Sequence, residues 1–311
     1  MSARVLVTGA SGFAGRHLVA ACVRAGDTVA VASRRDGVDL LDPEAARAAI
    51  ADAEPDVVYH LAARAHVGAS WKDPEGTLRD NLALTRNVLD AVRAETPGAV
   101  VVAVSSSEVY GPPRSLPLRE DAELRPQSPY AVSKAASDLL AGFYADAHGL
   151  RVIRARAFNH AGPGQEPTYA IASFARQAAG ALEAGAPTLK LVTGRADTRR
   201  DYTDVRDVVV AYRLLAERAR PGIYNVASGV SHSAAELIAA LAEIAGLPLE
   251  HAVDPALVRP NEVMELRGDA GRLRVATGWA PVIPIERTLG DAVADWRERI
   301  RAGAAGDRAH E

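Results

Sequence analysis

The chain has 311 residues, 48% of them hydrophobic and 24% charged, with a formal net charge of −3. That length exceeds a usual single core, so two lobes are expected, and the balance is that of a globular protein with no apolar run long enough to span a bilayer. The charge argues against a polyanion-binding surface and MSARVLVTGA lacks the zones of an export signal, so neither nucleic acid nor a membrane is an expected partner and the cytoplasm is the expected location.

Val5-Leu6-Val7 reads as a first strand that runs directly into TGASGFAG. Gly9, Gly12 and Gly15 are spaced there so that the backbone can turn tightly and approach a pyrophosphate at a helix N-terminus, with Ser11 and Phe13 in the same loop. Cys22, the lone cysteine, falls among alanines and valines of the next helix, where packing rather than reactivity is expected.

The second strand, Thr28 to Ala32, ends in Ser33, Arg34 and Arg35. An acid there would bind a free ribose 2′-hydroxyl, whereas arginine pairs with a 2′-phosphate; NADP(H) is therefore favoured and NAD(H) remains open. Asp36 is placed to neutralise the arginines in part, and Asp39 and Leu40 to face the adenine ring. Asp42-Pro43, Asp73-Pro74 and Ser128-Pro129 each put a capping side chain before a proline at the first helical position.

A third strand is expected at Val57-Val58-Tyr59 and a fourth at Val100 to Val104, which feeds SSSEVYG. Ser105, Ser106 and Ser107 then lie at the carboxyl edge of the sheet, where open α/β sheets bind ligands, and Ser106 can hydrogen-bond a substrate oxygen. Glu108 in the same loop has three open roles: proton-abstracting base, partner of a sugar hydroxyl, or cap of the turn. In SPYAVSK, Tyr130 and Lys134 are four apart and share a helix face, a phenol beside an ammonium. The cation and the positive end of the helix dipole both predict a depressed phenol pKa.

Arg151 to Phe158 is the next strand. After Asn159 the turn-rich AGPGQEPT opens a second lobe, with helices expected at Tyr169 to Glu183 and Val205 to Glu217 and a strand at Ile223 to Val226. The expected fold class is α/β: a doubly wound parallel Rossmann sheet with a smaller, interleaved C-terminal substrate domain. Residues 1–160 form the dinucleotide-binding domain with 201–226 returning to it, 161–200 and 227–303 the substrate domain, and 304–311 a frayed tail. No His, Cys, Asp or Glu cluster has metal-ligand spacing; His66, His160 and His232 are scattered.

Taken in order, TGASGFAG, YHLAA (Tyr59 to Ala63), SSSEVYG, SPYAVSK and RDYTDVRDVV (Arg200 to Val209) resemble the extended short-chain dehydrogenase/reductase superfamily of nucleotide-sugar epimerases, dehydratases and reductases. RAFNHAGPGQ (Arg156 to Gln165), YNVASG (Tyr224 to Gly229), VRPNEVMELRGDAGRL ending at Leu273 and the tail TGWAPVIPIERTL are similar to the GDP-4-dehydro-6-deoxy-D-mannose reductases within it. The GDP-mannose 4,6-dehydratases share the FNH and RPxEV features but carry a long basic insertion after the second strand, compressed here to RRDGVDLLD.

The resemblance implies Tyr130 as proton donor, Lys134 as its electrostatic partner and ribose anchor, and Ser106 as the donor that polarises a ketone. It places His60, Leu61, Ala62 and Ala63 along the cofactor and Asn159 and His160 beside nicotinamide and substrate. Arg200, Arg259 and Glu262 are implied around the diphosphate and ribose of a GDP-sugar, with Ser107 and Arg176 as further contacts. It also implies a homodimer in which the helices Pro74 to Ala94 and Tyr130 to His148 pair into a four-helix bundle. The leading expectation is NADPH-dependent reduction of a GDP-4-keto-6-deoxyhexose to GDP-D-rhamnose. A 4,6-dehydratase or 4-epimerase that retains its cofactor, with Glu108 as a base in the dehydratase, and a non-catalytic nucleotide-binding protein are the alternatives.

Overall fold

The computed structural model describes residues 2–258 and 263–308. In chain order the first lobe begins β1 (Arg4–Thr8), α1 (Phe13–Arg24), β2 (Thr28–Ala32), α2 (Pro43–Ala53), β3 (Val57–His60), the single turn α3 (Val67–Ser70), α4 (Pro74–Glu95), β4 (Val100–Ser106), α5 (Pro129–His148) and β5 (Arg151–Ala157). There follow β6 (Asn159–Ala161), α6 (Ala170–Glu183), β7 (Leu189–Thr193), β8 (Arg199–Asp204), α7 (Val205–Arg218), β9 (Gly222–Val226), β10 (Ser231–Ser233) and α8 (Ala234–Ala245). The chain ends with β11 (Leu249–Val253), β12 (Glu265–Leu266), α9 (Gly271–Thr277) and α10 (Ile285–Arg308).

Runs such as Val100 to Val104 are apolar on both faces, so they can be buried only between two helical layers. They form a six-stranded sheet in the order β2-β1-β3-β4-β5-β9, parallel throughout. Alternate residues feed two cores. Val5, Val7, Val100 and Val102 pack with Leu18 of α1 and Tyr212 of α7, whereas Leu6, Val58, Val101 and Ala103 pack with Ile50 of α2, Val88 of α4 and Tyr144 of α5. Cys22 is fully buried in the first of these, and burial pushes its thiol up to about 11.

Helix starts follow the sequence. Asp42 accepts from the Glu44 N–H, Asp73 from Gly76 and Ser128 from Ala131, each with proline next in the helix, caps worth about 0.5–2 kcal/mol apiece. The strand order reverses beside β1, with β2 on one side and β3 on the other, and that switch point is where a ligand can enter outside the carboxyl ends of the strands.

The second lobe pairs β8 with β6, β10 and β12, and β7 with β11. Ile171 and Phe174 of α6, Leu237 and Leu241 of α8 and Leu289 of α10 form its core. β10 and β12 pair with the first half of β8 (Arg199 to Asp201) and β6 with its second half (Tyr202 to Asp204), after which α7 starts at Val205 and packs on the first core. Helix α10 runs to Arg308, past residue 303 where a tail was expected, since alanine and arginine outweigh the two glycines of RAGAAGDR as helix formers.

Candidate active site

Gly9 turns the chain at φ +69° after β1. A β-carbon there would lie 2.8 Å from the Ala62 nitrogen, and one on Gly15 only 2.2 Å from the Gly9 carbonyl oxygen, so the protein's own packing demands both glycines. Gly12 differs. It is the N-cap of α1 with no side-chain cap, and a β-carbon on it would meet only the Gly9 carbonyl oxygen, at 3.2 Å. The first N–H groups of α1 thus stand without a side-chain partner at the positive end of the helix dipole, a cradle that fits the pyrophosphate of a dinucleotide. Around it, Ala62 N–H donates to Thr8 Oγ1 at 3.2 Å, the Ser11 carbonyl accepts from Arg16, and Phe13 stacks on His160 with centroids 5.9 Å apart. Leu61 is partly buried against the first core.

At the end of β2, Arg34 pairs with Asp39 (3.2 Å) with both side chains exposed, and Asp36 accepts from Ser33 instead of neutralising the arginines. The short helical turn Arg34–Asp36 explains this exchange: it folds Asp36 back on Ser33 and leaves Arg35 exposed, with no ion pair among the described residues. Leu40 turns inward to the second core, 4% exposed, so its side chain does not offer the apolar face expected for adenine.

Ser106 ends β4 and caps the following turn, its Oγ accepting the Glu108 N–H at 3.2 Å. The cap of that turn is therefore Ser106, and the Glu108 carboxylate has no hydrogen-bond partner among the described residues, which leaves its two chemical roles. Ser107 is buried, 1% exposed. Tyr130 sits at the second position of α5, after Pro129, and is hydrogen-bonded to Ser106. Lys134, one turn further, donates from Nζ to the Val104 carbonyl at 2.5 Å and so ties α5 to the end of β4.

The expected depression of the Tyr130 phenol is not found. Burial raises it well above the ordinary tyrosine value; the hydrogen bond from Ser106 acts downward and the Glu108 carboxylate adds a further upward push. Burial also pushes Lys134 down to about 8, so the cation that the spacing supplies is itself weakened by the same dry surroundings. His60 is buried behind them between Thr8 (2.9 Å) and Thr85 (3.4 Å), and burial with the nearby Lys134 lowers it to about 3.

On the side of the second lobe, Asn159 lies in β6 opposite Tyr202, and Arg200 in β8 donates to the Arg199 carbonyl at 2.9 Å. Arg176 is exposed on α6 with no ion pair among the described residues. Arg259 and Glu262 lie outside the described residues. Two buried carboxylates escaped the sequence reading. Asp201 accepts from Ser228 N–H and Oγ, Gly229 N–H and Gly268 N–H, gathering two segments beside β8. Asp138 of α5 accepts from Arg156 at 3.1 and 2.9 Å. Their sequence signal was an acid within an otherwise buried pattern, with partners too remote to name. Among the described residues no group of three or more His, Cys, Asp or Glu could hold a metal ion, and no helix is long and apolar enough to cross a membrane.

A Rossmann sheet with an uncapped glycine turn and a serine, tyrosine and lysine at its carboxyl edge defines a nucleotide-binding enzyme class, and the chain belongs to the NAD dependent epimerase/dehydratase family, whose model matches residues 5–227. More particularly, it is 40% identical over 304 residues to the GDP-6-deoxy-D-mannose reductase of Pseudomonas aeruginosa, covering 97% of this chain and 99% of that protein. It is 33% identical to GDP-mannose 4,6 dehydratase 2 of Arabidopsis thaliana over 81% of this chain and 68% of that one. The solved structure of RMD from Pseudomonas aeruginosa complexed with NADPH superposes with a TM-score of 0.88 at 39% identity, covering 96% of this chain and 99% of that chain. The chain is thus a nucleotide-sugar-modifying member of the short-chain dehydrogenase/reductase class.

Proposed function

We propose that this protein reduces the C4 ketone of a GDP-4-keto-6-deoxyhexose, forming GDP-D-rhamnose from GDP-4-dehydro-6-deoxy-D-mannose. The observation that carries the reading is the hydrogen-bonded pair Ser106 and Tyr130, held at the carboxyl edge of β4 with Lys134 one turn behind. The similarity to a GDP-6-deoxy-D-mannose reductase along nearly the whole chain supports the substrate class.

NADPH, when bound, supplies the hydride that adds to the ketone carbon. The α1 N-terminus and Gly12 hold its pyrophosphate, and the exposed Arg35, with Arg34, meets a 2′-phosphate; NAD(H) is the alternative ligand of the same cradle. Ser106 donates a hydrogen bond to the ketone oxygen while the Tyr130 hydroxyl delivers its proton to the developing alkoxide. A phenol kept neutral by burial is suited to giving a proton, and the Lys134 ammonium stabilises the phenolate left behind. Asn159, Arg176, Arg200, Arg259, Glu262 and Ser107 are proposed on the substrate side. Substrate-dependent NADPH oxidation by the purified protein tests the reading.

A second reading rests on Glu108. Its unpartnered carboxylate acts on Tyr130, and as a proton-abstracting base it would supply the part a 4,6-dehydratase needs. That enzyme would turn over GDP-mannose with no added reductant.

A homodimer is also proposed. Leu78 and Leu82 on α4 and Val132, Leu139 and Phe143 on α5 are exposed by 36 to 60%, and the two helices lie side by side, so their apolar residues form one uncovered stripe. Pairing two such stripes builds a four-helix bundle.

A further inference from the structure

Asp138 lies one helical turn beyond Lys134, on the same face of α5, with its side chain fully buried. Its two oxygens take Arg156 through Nε (3.1 Å) and Nη2 (2.9 Å), and Arg154 approaches at 3.5 Å. Arg156 in turn donates from Nη1 to the Tyr110 hydroxyl and to the Glu120 carbonyl, both at 3.1 Å. Tyr110, four residues after Ser106, donates to Asn225 of β9 at 2.6 Å. One buried chain of hydrogen bonds therefore runs from the helix that bears Tyr130 and Lys134 to the loop that bears Ser106 and Glu108.

We infer that Asp138 is a positioning residue for the proposed reduction: a buried counter-charge that keeps the Lys134 ammonium charged and, through Arg156 and Tyr110, holds the Tyr130 helix in register with the Ser106 loop. The inference rests on the reductase reading for its purpose but not for its physics. Other titratable and charged groups on the elements packed against α5 are Glu75, Arg79, Asp80, Arg86, Asp90, Arg93 and Glu95 of α4, His60 at the end of β3, His66 at the cap of α3, Glu108, and Arg151, Arg154 and Arg156 of β5. Asp80 is engaged by Arg64 and Arg79, Asp90 by Tyr144, and His60 is neutral at physiological pH. Glu108 acts on Tyr130, which leaves Asp138 as the carboxylate opposing the effect of burial on Lys134.

The sequence holds three lysines, Lys72, Lys134 and Lys190, so the Lys134 side chain can be followed by NMR of protein carrying 13C-labelled lysine. Its titration midpoint in the native chain is expected near 8, and the other two lysine side chains are exposed. Asp138→Asn removes the counter-charge and leaves burial of Lys134 unopposed, which should lower the midpoint by about one pH unit or more. Arg156→Met leaves the carboxylate unshared and should raise it. Opposite movements support the inference; a midpoint that stays still, or moves the same way in both variants, overturns it. If one variant fails to fold, the direction seen in the other decides. Asp138→Glu should restore the native midpoint and the native kcat more fully than Asn, which loss of packing alone would not produce. The titration needs no substrate, so it stands if the reductase reading fails, and a stationary midpoint leaves that reading untouched.

Discussion

The Lys134 ammonium donates its hydrogen bond to the carbonyl of Val104, two residues before Ser106, at 2.5 Å. The segments of Ser106 and Tyr130, 24 residues apart, are thus pinned to each other by the residue whose charge the proposed chemistry uses. In that arrangement the phenol is raised by burial rather than lowered by the cation.

Tyr130→Phe removes the proton donor and leaves the ring in place. The kcat for ketone reduction should fall by about 10²–10⁴-fold while NADPH binding, followed by fluorescence, stays within about threefold. Ser106→Ala should lose less activity, because the tyrosine still donates, and should also uncap the turn at Glu108.

The pH profile follows from Lys134. Below about 8 its amine is protonated and supports the phenolate that forms; above it the charge is lost. For the free enzyme, kcat/KM should therefore decline on the alkaline side with a midpoint near 8. A flat profile from neutrality to pH 9.5 would remove Lys134 from the step.

His60 gives a stability prediction of definite sign. Its folded value, about 3, lies below the ordinary 6.5, so between these the unfolded chain binds the proton that the folded chain refuses. Stability present above pH 6.5 is then lost progressively as pH falls toward 3. Thermal melts of the native chain and of His60→Gln between pH 7 and 4.5 should converge as the pH drops.

Cofactor choice tests the end of β2. Arg35→Ser should weaken NADPH binding by about tenfold or more, the worth of a charge-assisted pair, and leave NADH binding nearly unchanged. Equal losses for both dinucleotides would mean that the arginine does not read the 2′-phosphate.

Phe143 and Leu139 are 54% and 60% exposed on α5. Leu139→Glu with Phe143→Glu should convert a dimer to monomer in sedimentation velocity with the fold retained by circular dichroism. A native chain that sediments as a monomer would already exclude the bundle.

The strands, the glycine turn and the serine, tyrosine and lysine were legible because their signals are local: alternation of apolar runs, a fixed glycine spacing, a four-residue helical step. The Asp138–Arg156–Tyr110–Asn225 chain was not, because its partners lie 18, 46 and 115 residues apart and no local pattern announces a buried pair. The sign of the Tyr130 shift was missed for a related reason. Spacing shows that a cation is near but not how dry the site is, and here dryness outweighs the cation. At the end of β2 the wrong acid was paired with the arginines, since Asp36 and Asp39 differ only by a turn of backbone that composition does not reveal.

The most direct measurement is the change in absorbance at the nicotinamide band when purified protein, NADPH and GDP-4-dehydro-6-deoxy-D-mannose are mixed. Stoichiometric NADPH oxidation with GDP-D-rhamnose as product is the expected result. Folded protein that consumes no NADPH with this substrate, or that converts GDP-mannose with no reductant added, would contradict it.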